Sequence, residues 1–111
     1  MMTAFVLAWW LAHGAQPFQA QALVRHARTE SGVLPNPPAT GLGHCVYQWT
    51  GVRWRRLQQW SGGGGCPAIE RQLVFALAEL RQPEYSCFWS ASPQRAYAVL
   101  RHTFGAGARC G

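Results

Sequence analysis

Residues 17–32 read PFQAQALVRHARTESG, and the fold turns on how this stretch is read. Pro17 suits a first helical position, and Gly32 can take the left-handed conformation that ends a helix. Between them Ala20, Leu23, Val24, Ala27 and Glu30 recur at i, i+3, i+4, i+7 and i+10, the spacing of one buried helical face. Glu30 therefore stands on the apolar stripe. Burial and the negative end of the helix dipole both disfavour a charged carboxylate, so the position predicts a raised pKa. An acid still protonated near neutral pH is what general acid catalysis requires. A solvated helix-end glutamate is the plain alternative.

The rest of the composition narrows that choice. The chain of 111 residues carries Glu30, Glu70, Glu79 and Glu84 as its acids, with no aspartate, against ten arginines and no lysine. Its length fits one domain able to bury on the order of 60–65% of the unfolded surface. Apolar residues make up 49%, which argues against disorder. The net charge of +6 suits an anionic partner: nucleic acid, a membrane surface or a carboxylate-bearing cell wall.

Ala4 to Ala12 is an unbroken apolar run of nine residues, too short to span a bilayer. No Arg or Lys precedes Arg25, and no clear Ala-x-Ala site follows, so no clear signal peptide is read here. The run is expected instead to form a buried first helix, ending at His13-Gly14. After Gly32, three prolines between Pro35 and Pro38 force an irregular loop. Cys45 to Trp49 is expected as a short strand, and Thr50 as the N-cap of a third helix. Trp49 and Trp54 would then form a hydrophobic staple, with Trp54, Leu57 and Trp60 on the inner face. A fourth helix runs from Pro67 to about Leu80, with Ile69, Leu73, Ala76, Leu77 and Leu80 on one face and Gln72, Phe75 and Glu79 on another. Being apolar on more than one side, it is expected to be central, and Glu79 to be a buried anchor paired with an arginine. Ser92-Pro93 begins a fifth helix through Ala96, Tyr97, Leu100 and Phe104. The expectation is a mainly α single domain, residues 1–111, of about five helices with a short irregular β-hairpin or loop.

Several short motifs stand in a telling order. Glu30-Ser31-Gly32, Pro35-Asn36, Tyr47-Gln48-Trp49-Thr50-Gly51 with Arg53, Gln72-Leu73-x-Phe75 and Glu79-Leu80 together resemble the phage tail lysozyme family. That family belongs to the lysozyme-like superfamily with the lytic transglycosylases. Leu11-Ala12-His13-Gly14 and the alanine-rich helix after it are similar to the family's opening helix pair, so the likeness spans nearly the whole chain. Gly43-His44-Cys45-Val46 lengthens the passage from Gly41 to Gln48 beyond the usual compact pattern. The resemblance implies that Glu30 is the catalytic acid, at the mouth of the main groove. It places Gln48 opposite, facing the sugar, with Tyr47 and Trp49 lining the groove. Ser31, Thr50 and Tyr97 complete the expected substrate-binding set. Saccharide rings stack on aromatic faces, and a side-chain amide can bond hydroxyls or an N-acetyl group, which is consistent with that assignment.

The resemblance implies cleavage of the β-1,4 bond between N-acetylmuramic acid and N-acetylglucosamine in peptidoglycan, with no cofactor and no metal. Glycosidases that use two carboxylates space them by roughly 5–9.5 Å, and none of Glu70, Glu79 and Glu84 is clearly poised opposite Glu30. One residue performing both proton transfers, as in lytic transglycosylases, is placed slightly ahead of hydrolysis with a water held by Gln48 or Thr50. The other function class is a non-catalytic module that binds the wall or builds a phage tail. The expected partners are glycan strands and phage tail or secretion-apparatus proteins, without nucleic acid or stable membrane insertion. Cys45, Cys66, Cys87 and Cys110 allow three disulfide pairings, and such bonds suit an extracytoplasmic site. His13, His26 and His102 are read as surface or capping residues.

Overall fold

A computed structural model describes residues 2–38 and 41–111, so Ala39 and Thr40 of the proline-rich loop lie outside the described residues. Among the described residues the helices are α1 (Met2–Ala12), α2 (Pro17–Ser31), α3 (Gly51–Ser61), α4 (Ile69–Leu80), α5 (Cys87–Ser90) and α6 (Ala96–Leu100). A π-helical turn, Arg101–Gly105, continues α6. The mainly helical single domain expected from the sequence is what the chain forms.

The second helix starts at Pro17 and stops at Gly32, which takes φ 69° and donates its N–H to Arg28 O at 3.0 Å. Val33 follows with its N–H on Ala27 O at 3.3 Å, completing a Schellman-like end. Val33 itself has φ 61° although it is β-branched, and it is buried. Such a backbone costs on the order of 1–3 kcal/mol and persists only where its surroundings hold it. The strain thus sits three residues after Glu30.

The core gathers around α2. Its Ala20, Leu23, Val24 and Ala27 are buried as the periodicity required, and its packing is most extensive against α6 and α1. From α1, Val6, Trp9 and Trp10 are buried, so the apolar N-terminal run does form a helix of the fold. Trp10, Trp49, Phe88 and Phe104 are the largest fully buried side chains. Each Phe-sized group stabilises the fold by about 1.5–3 kcal/mol. The fourth helix buries Gln72, Leu73, Phe75, Ala76, Glu79 and Leu80, the two faces expected of it. It is α2, however, that is flanked by helices α1 and α6.

Several details correct the sequence reading. Cys45 to Trp49 is a tight turn rather than a strand: His44 and Trp49 alone pair across it, through bonds of 3.0 and 2.8 Å. Cys45 and Gln48 adopt φ of 69° and 54°, which breaks the extended backbone that a ladder needs. Thr50 occupies the N-cap of α3 without a side-chain capping bond. Trp54 stacks on His44 at 3.9 Å, while the ring of Trp49 meets Tyr47 and Phe75, so the staple is not formed as drawn. Trp60 is 43% exposed rather than inward, lying against Phe75 and under the Arg71 guanidinium. The fifth helix begins at Ala96 rather than at Ser92-Pro93 and reaches Phe104 as the π-helical turn, and the short α5 precedes it.

Two disulfides close the structure, Cys45–Cys66 and Cys87–Cys110. The first ties the 44–49 turn to the approach of α4. The second holds the C-terminal tail against α5, helped by the Cys110 N–H on Glu84 O at 2.9 Å. Both fit a protein that works in an oxidising, extracytoplasmic setting. No described helix is long and apolar enough to cross a membrane.

Candidate active site

The four acids have separate fates. Glu79 is buried and accepts from Arg53 Nε at Oε2 (2.8 Å), and from Arg53 Nη2 (2.8 Å) and Trp49 Nε1 (2.7 Å) at Oε1. Arg53 also donates from Nη1 to Phe104 O at 2.9 Å, so one guanidinium joins α3, α4 and the π-helical turn. Charge-assisted, forked bonds of this kind are strong, and they commit Glu79 to the core as an anchor. Glu70 is exposed in the first turn of α4, and Glu84 is half-buried in the loop before α5.

Glu30 stands in the last turn of α2 with its side chain 22% exposed. Arg101 Nη1 donates to its Oε1 at 2.6 Å, and Oε2 accepts no hydrogen bond among the described residues. Arg101 opens the π-helical turn, a local geometry often found at functional positions. The same Nη1 lies 2.9 Å from His26 Nδ1, and His26 Nδ1 is 4.0 Å from Glu30 Oε1. Arg101 thus sets a cation beside Glu30 that no local pattern in the sequence marks.

His26 is fully buried, not the surface or capping residue expected. Burial first, then the positive charges of Arg101 and Arg53, pull its pKa from 6.5 down to about 3. Its ring lies parallel to that of Tyr47 and meets Phe104 edge-on. Its Nε2 has no hydrogen-bond partner among the described residues.

Ser31 is a fastener. Its hydroxyl donates to Val46 O at 2.7 Å and accepts from Leu34 N–H at 3.2 Å, so the end of α2 is sewn to the 44–49 turn. Gln72, fully buried on α4, reinforces that junction: Oε1 accepts from Val46 N–H, while Nε2 donates to Pro35 O and Pro67 O. The helical periodicity shows the face Gln72 lies on but not its partners Val46 and Pro35, which are distant in sequence.

Tyr47 and Trp49 are core residues, 3% and 0% exposed, and do not line an open groove. Tyr47 donates to Leu23 O and accepts from Trp10 Nε1, and burial pushes its phenol above the ordinary value. Gln48 is half-buried and donates from Nε2 to Cys45 O at 2.9 Å. Its side chain lies where any side chain on Gly43 would have to go, since a Cβ there would meet Gln48 Oε1 at 2.5 Å. Thr50 is exposed at the start of α3. Tyr97, half-buried on α6, shares a 3.1 Å hydrogen bond with the Thr29 hydroxyl and carries the Arg25 guanidinium over its ring.

One surface cavity lies between α2 and α6, with Phe18, Gln21, Arg25, Pro93 and Tyr97 in its wall. Another is formed by His13, Leu77, Arg81 and Trp89. Neither is lined by Glu30, so Glu30 is not at the mouth of either cavity. Among the described residues, no three of His, Cys, Asp and Glu gather as a group that could hold a metal ion. The sequence matches no protein-family model, no curated protein and no solved structure.

Proposed function

We propose that this chain cleaves the glycan strands of peptidoglycan, using Glu30 as a single general acid and base, and that it is a member of the phage tail lysozyme family. The observation that carries the reading is the state of Glu30: a half-buried acid at a helix end, held through Oε1 by Arg101, with no hydrogen bond at Oε2 among the described residues. In the protonated form, Oε2–H can donate to the glycosidic oxygen while Arg101 keeps its bond to Oε1. The C1–O4 bond of muramic acid then breaks, with the substrate's own N-acetyl oxygen stabilising the cation. The resulting carboxylate takes the proton from the C6 hydroxyl, which closes a 1,6-anhydro ring and restores the acid. Hydrolysis by a water held near Gln48 or Thr50 uses the same acid and leaves a reducing end.

The committed state of Glu79 supports one-residue catalysis, since a second carboxylate is not free there. The net charge of +6 supports an anionic wall as the partner. On this reading the protein acts outside the cytoplasm, delivered by a phage tail or a secretion apparatus. The test is clearing of a purified wall suspension by the intact protein and by Glu30→Gln, with mass spectrometry of the released fragments.

A second reading, a wall-binding or tail-building module without turnover, is favoured by the absence of Glu30 from both cavity walls. Sedimentation with walls whose muropeptide profile stays unchanged would select it.

A further inference from the structure

We infer that His26 is a positioning residue for the proposed acid: held neutral in the core, it fixes Arg101, and Arg101 in turn fixes Glu30. The inference rests on Glu30 being the acid. Arginine can only donate, so in the 2.9 Å contact with Arg101 Nη1 the His26 Nδ1 must accept. The neutral ring therefore carries its proton on Nε2. That nitrogen has no partner among the described residues, so the tautomer is set by Arg101 alone.

The charged and titratable groups facing His26 agree with a neutral ring. Arg101 approaches from the π-helical turn, Arg53 from α3, Tyr47 from the 44–49 turn and Glu30 from its own helix. Two cations against one nearby carboxylate, in a fully buried site, disfavour an imidazolium. Arg101 is thus gripped at one guanidinium nitrogen by two acceptors four residues apart on α2: Nδ1 of His26 and Oε1 of Glu30. A long, 37% exposed side chain would otherwise sample many rotamers. With His26 in place, the guanidinium has one seat, Oε1 is taken, and Oε2 is the oxygen left for substrate.

The ring itself is clamped from behind. Tyr47 lies parallel to it, Phe104 meets it edge-on, and Gly105 comes so close that a Cβ at that position would stand 2.9 Å from His26 Cε1. Glycine at 105 is therefore required by the imidazole, not by a backbone angle.

A merely structural histidine predicts a different set of results from a positioning one. His26→Leu gives up the bond to Arg101 but also discards a buried N–H that has no partner among the described residues, so the melting temperature should fall only modestly. The lysis rate per folded molecule should fall about tenfold or more, and the alkaline limb of the pH–rate profile should move to higher pH as Arg101 loosens from Glu30. His26→Asn, whose amide oxygen can stand near the Nδ1 position, should restore both. Carboxyl NMR titration of Glu30 in the same variants reads the shift without any activity. Should His26→Leu fail to fold, Gly105→Ala displaces the ring and should change rate and profile in the same direction. Parental rate, profile and titration in His26→Leu or Gly105→Ala would overturn the inference, as would a loss that His26→Asn does not recover. Glu30→Gln runs alongside: undiminished lysis there removes the acid assignment itself and with it this inference, whereas inactive Glu30→Gln beside parental His26 variants removes the inference alone.

Discussion

Arg101 Nη1 and Glu30 Oε1 lie 2.6 Å apart although 71 residues separate them in sequence. The contact joins the last turn of α2 to the π-helical turn that ends the fold, so the C-terminal segment reaches the proposed chemistry directly. Replacing Arg101 with methionine keeps most of the stem and removes the charge. The protonated form of Glu30 is then favoured, and the alkaline limb of the lysis profile should move to higher pH. Stability should fall by about 1–3 kcal/mol, because the partly exposed ion pair is worth little while the buried His26 Nδ1 loses the donor it has in Arg101. A profile identical to the parent's would show that Arg101 does not act on the acid.

Glu79 should behave in the opposite way. Glu79→Gln leaves Arg53 without its carboxylate, and the loss should be about 1–3 kcal/mol. A thermal melt measures it. Lysis per folded molecule should be retained; its loss in a fully stable variant would make Glu79 a second group in the reaction.

The neutral His26 gives stability a distinct pH dependence. Its folded pKa of about 3 lies below the ordinary 6.5, so the unfolded chain binds the extra proton between those values. The stabilisation is therefore complete above pH 6.5 and is lost as pH falls toward 3. By pH 5 the loss amounts to about 2 kcal/mol. Denaturant unfolding at pH 7 and pH 5 should show this loss in the parent chain and a smaller one in His26→Leu. Equal losses would mean that the imidazole does not stay neutral.

The two disulfides should separate stability from activity. They join residues 21 and 23 positions apart, so each closes a loop of similar size and should contribute about 3 kcal/mol. Replacing Cys45 and Cys66 by serine frees the turn that Ser31 holds at Val46, and should lower lysis per folded molecule as well as stability. Replacing Cys87 and Cys110 should lower stability alone. Equal activity losses from the two pairs would contradict a role for the 44–49 turn.

The long helices were legible because each carried its own signals. Pro17, the 3.6-residue apolar spacing and Gly32 delimit α2 locally, and α4 shows both of its buried faces in the same way. Glu79 was legible as an anchor because a buried carboxylate needs a counter-charge, although only the fold could select Arg53. The 44–49 turn escaped local reading because Val46, Tyr47 and Trp49 have strand propensity, while Cys45 and Gln48 take positive φ in a turn tied by the Cys45–Cys66 disulfide and by Gln72 at Val46 N–H. Tyr47 and Trp49 were assigned to a groove because aromatics suit sugars; their polar atoms instead bind inside the core, at Leu23 O and at Glu79. His26 and Arg101 escaped because the partnership crosses 75 residues, and no local pattern marks a histidine that will be buried beside a cation.

The central claim is that Glu30 cuts the glycan strand, and muropeptide mass spectrometry of purified walls treated with the parent chain and with Glu30→Gln tests it most directly. The account predicts fragments ending in 1,6-anhydromuramic acid from the parent, and none from a Glu30→Gln variant that melts at nearly the same temperature. Fragments heavier by one water would keep Glu30 as the acid and change the reaction to hydrolysis. Equal release of glycan fragments by the two proteins would contradict the claim.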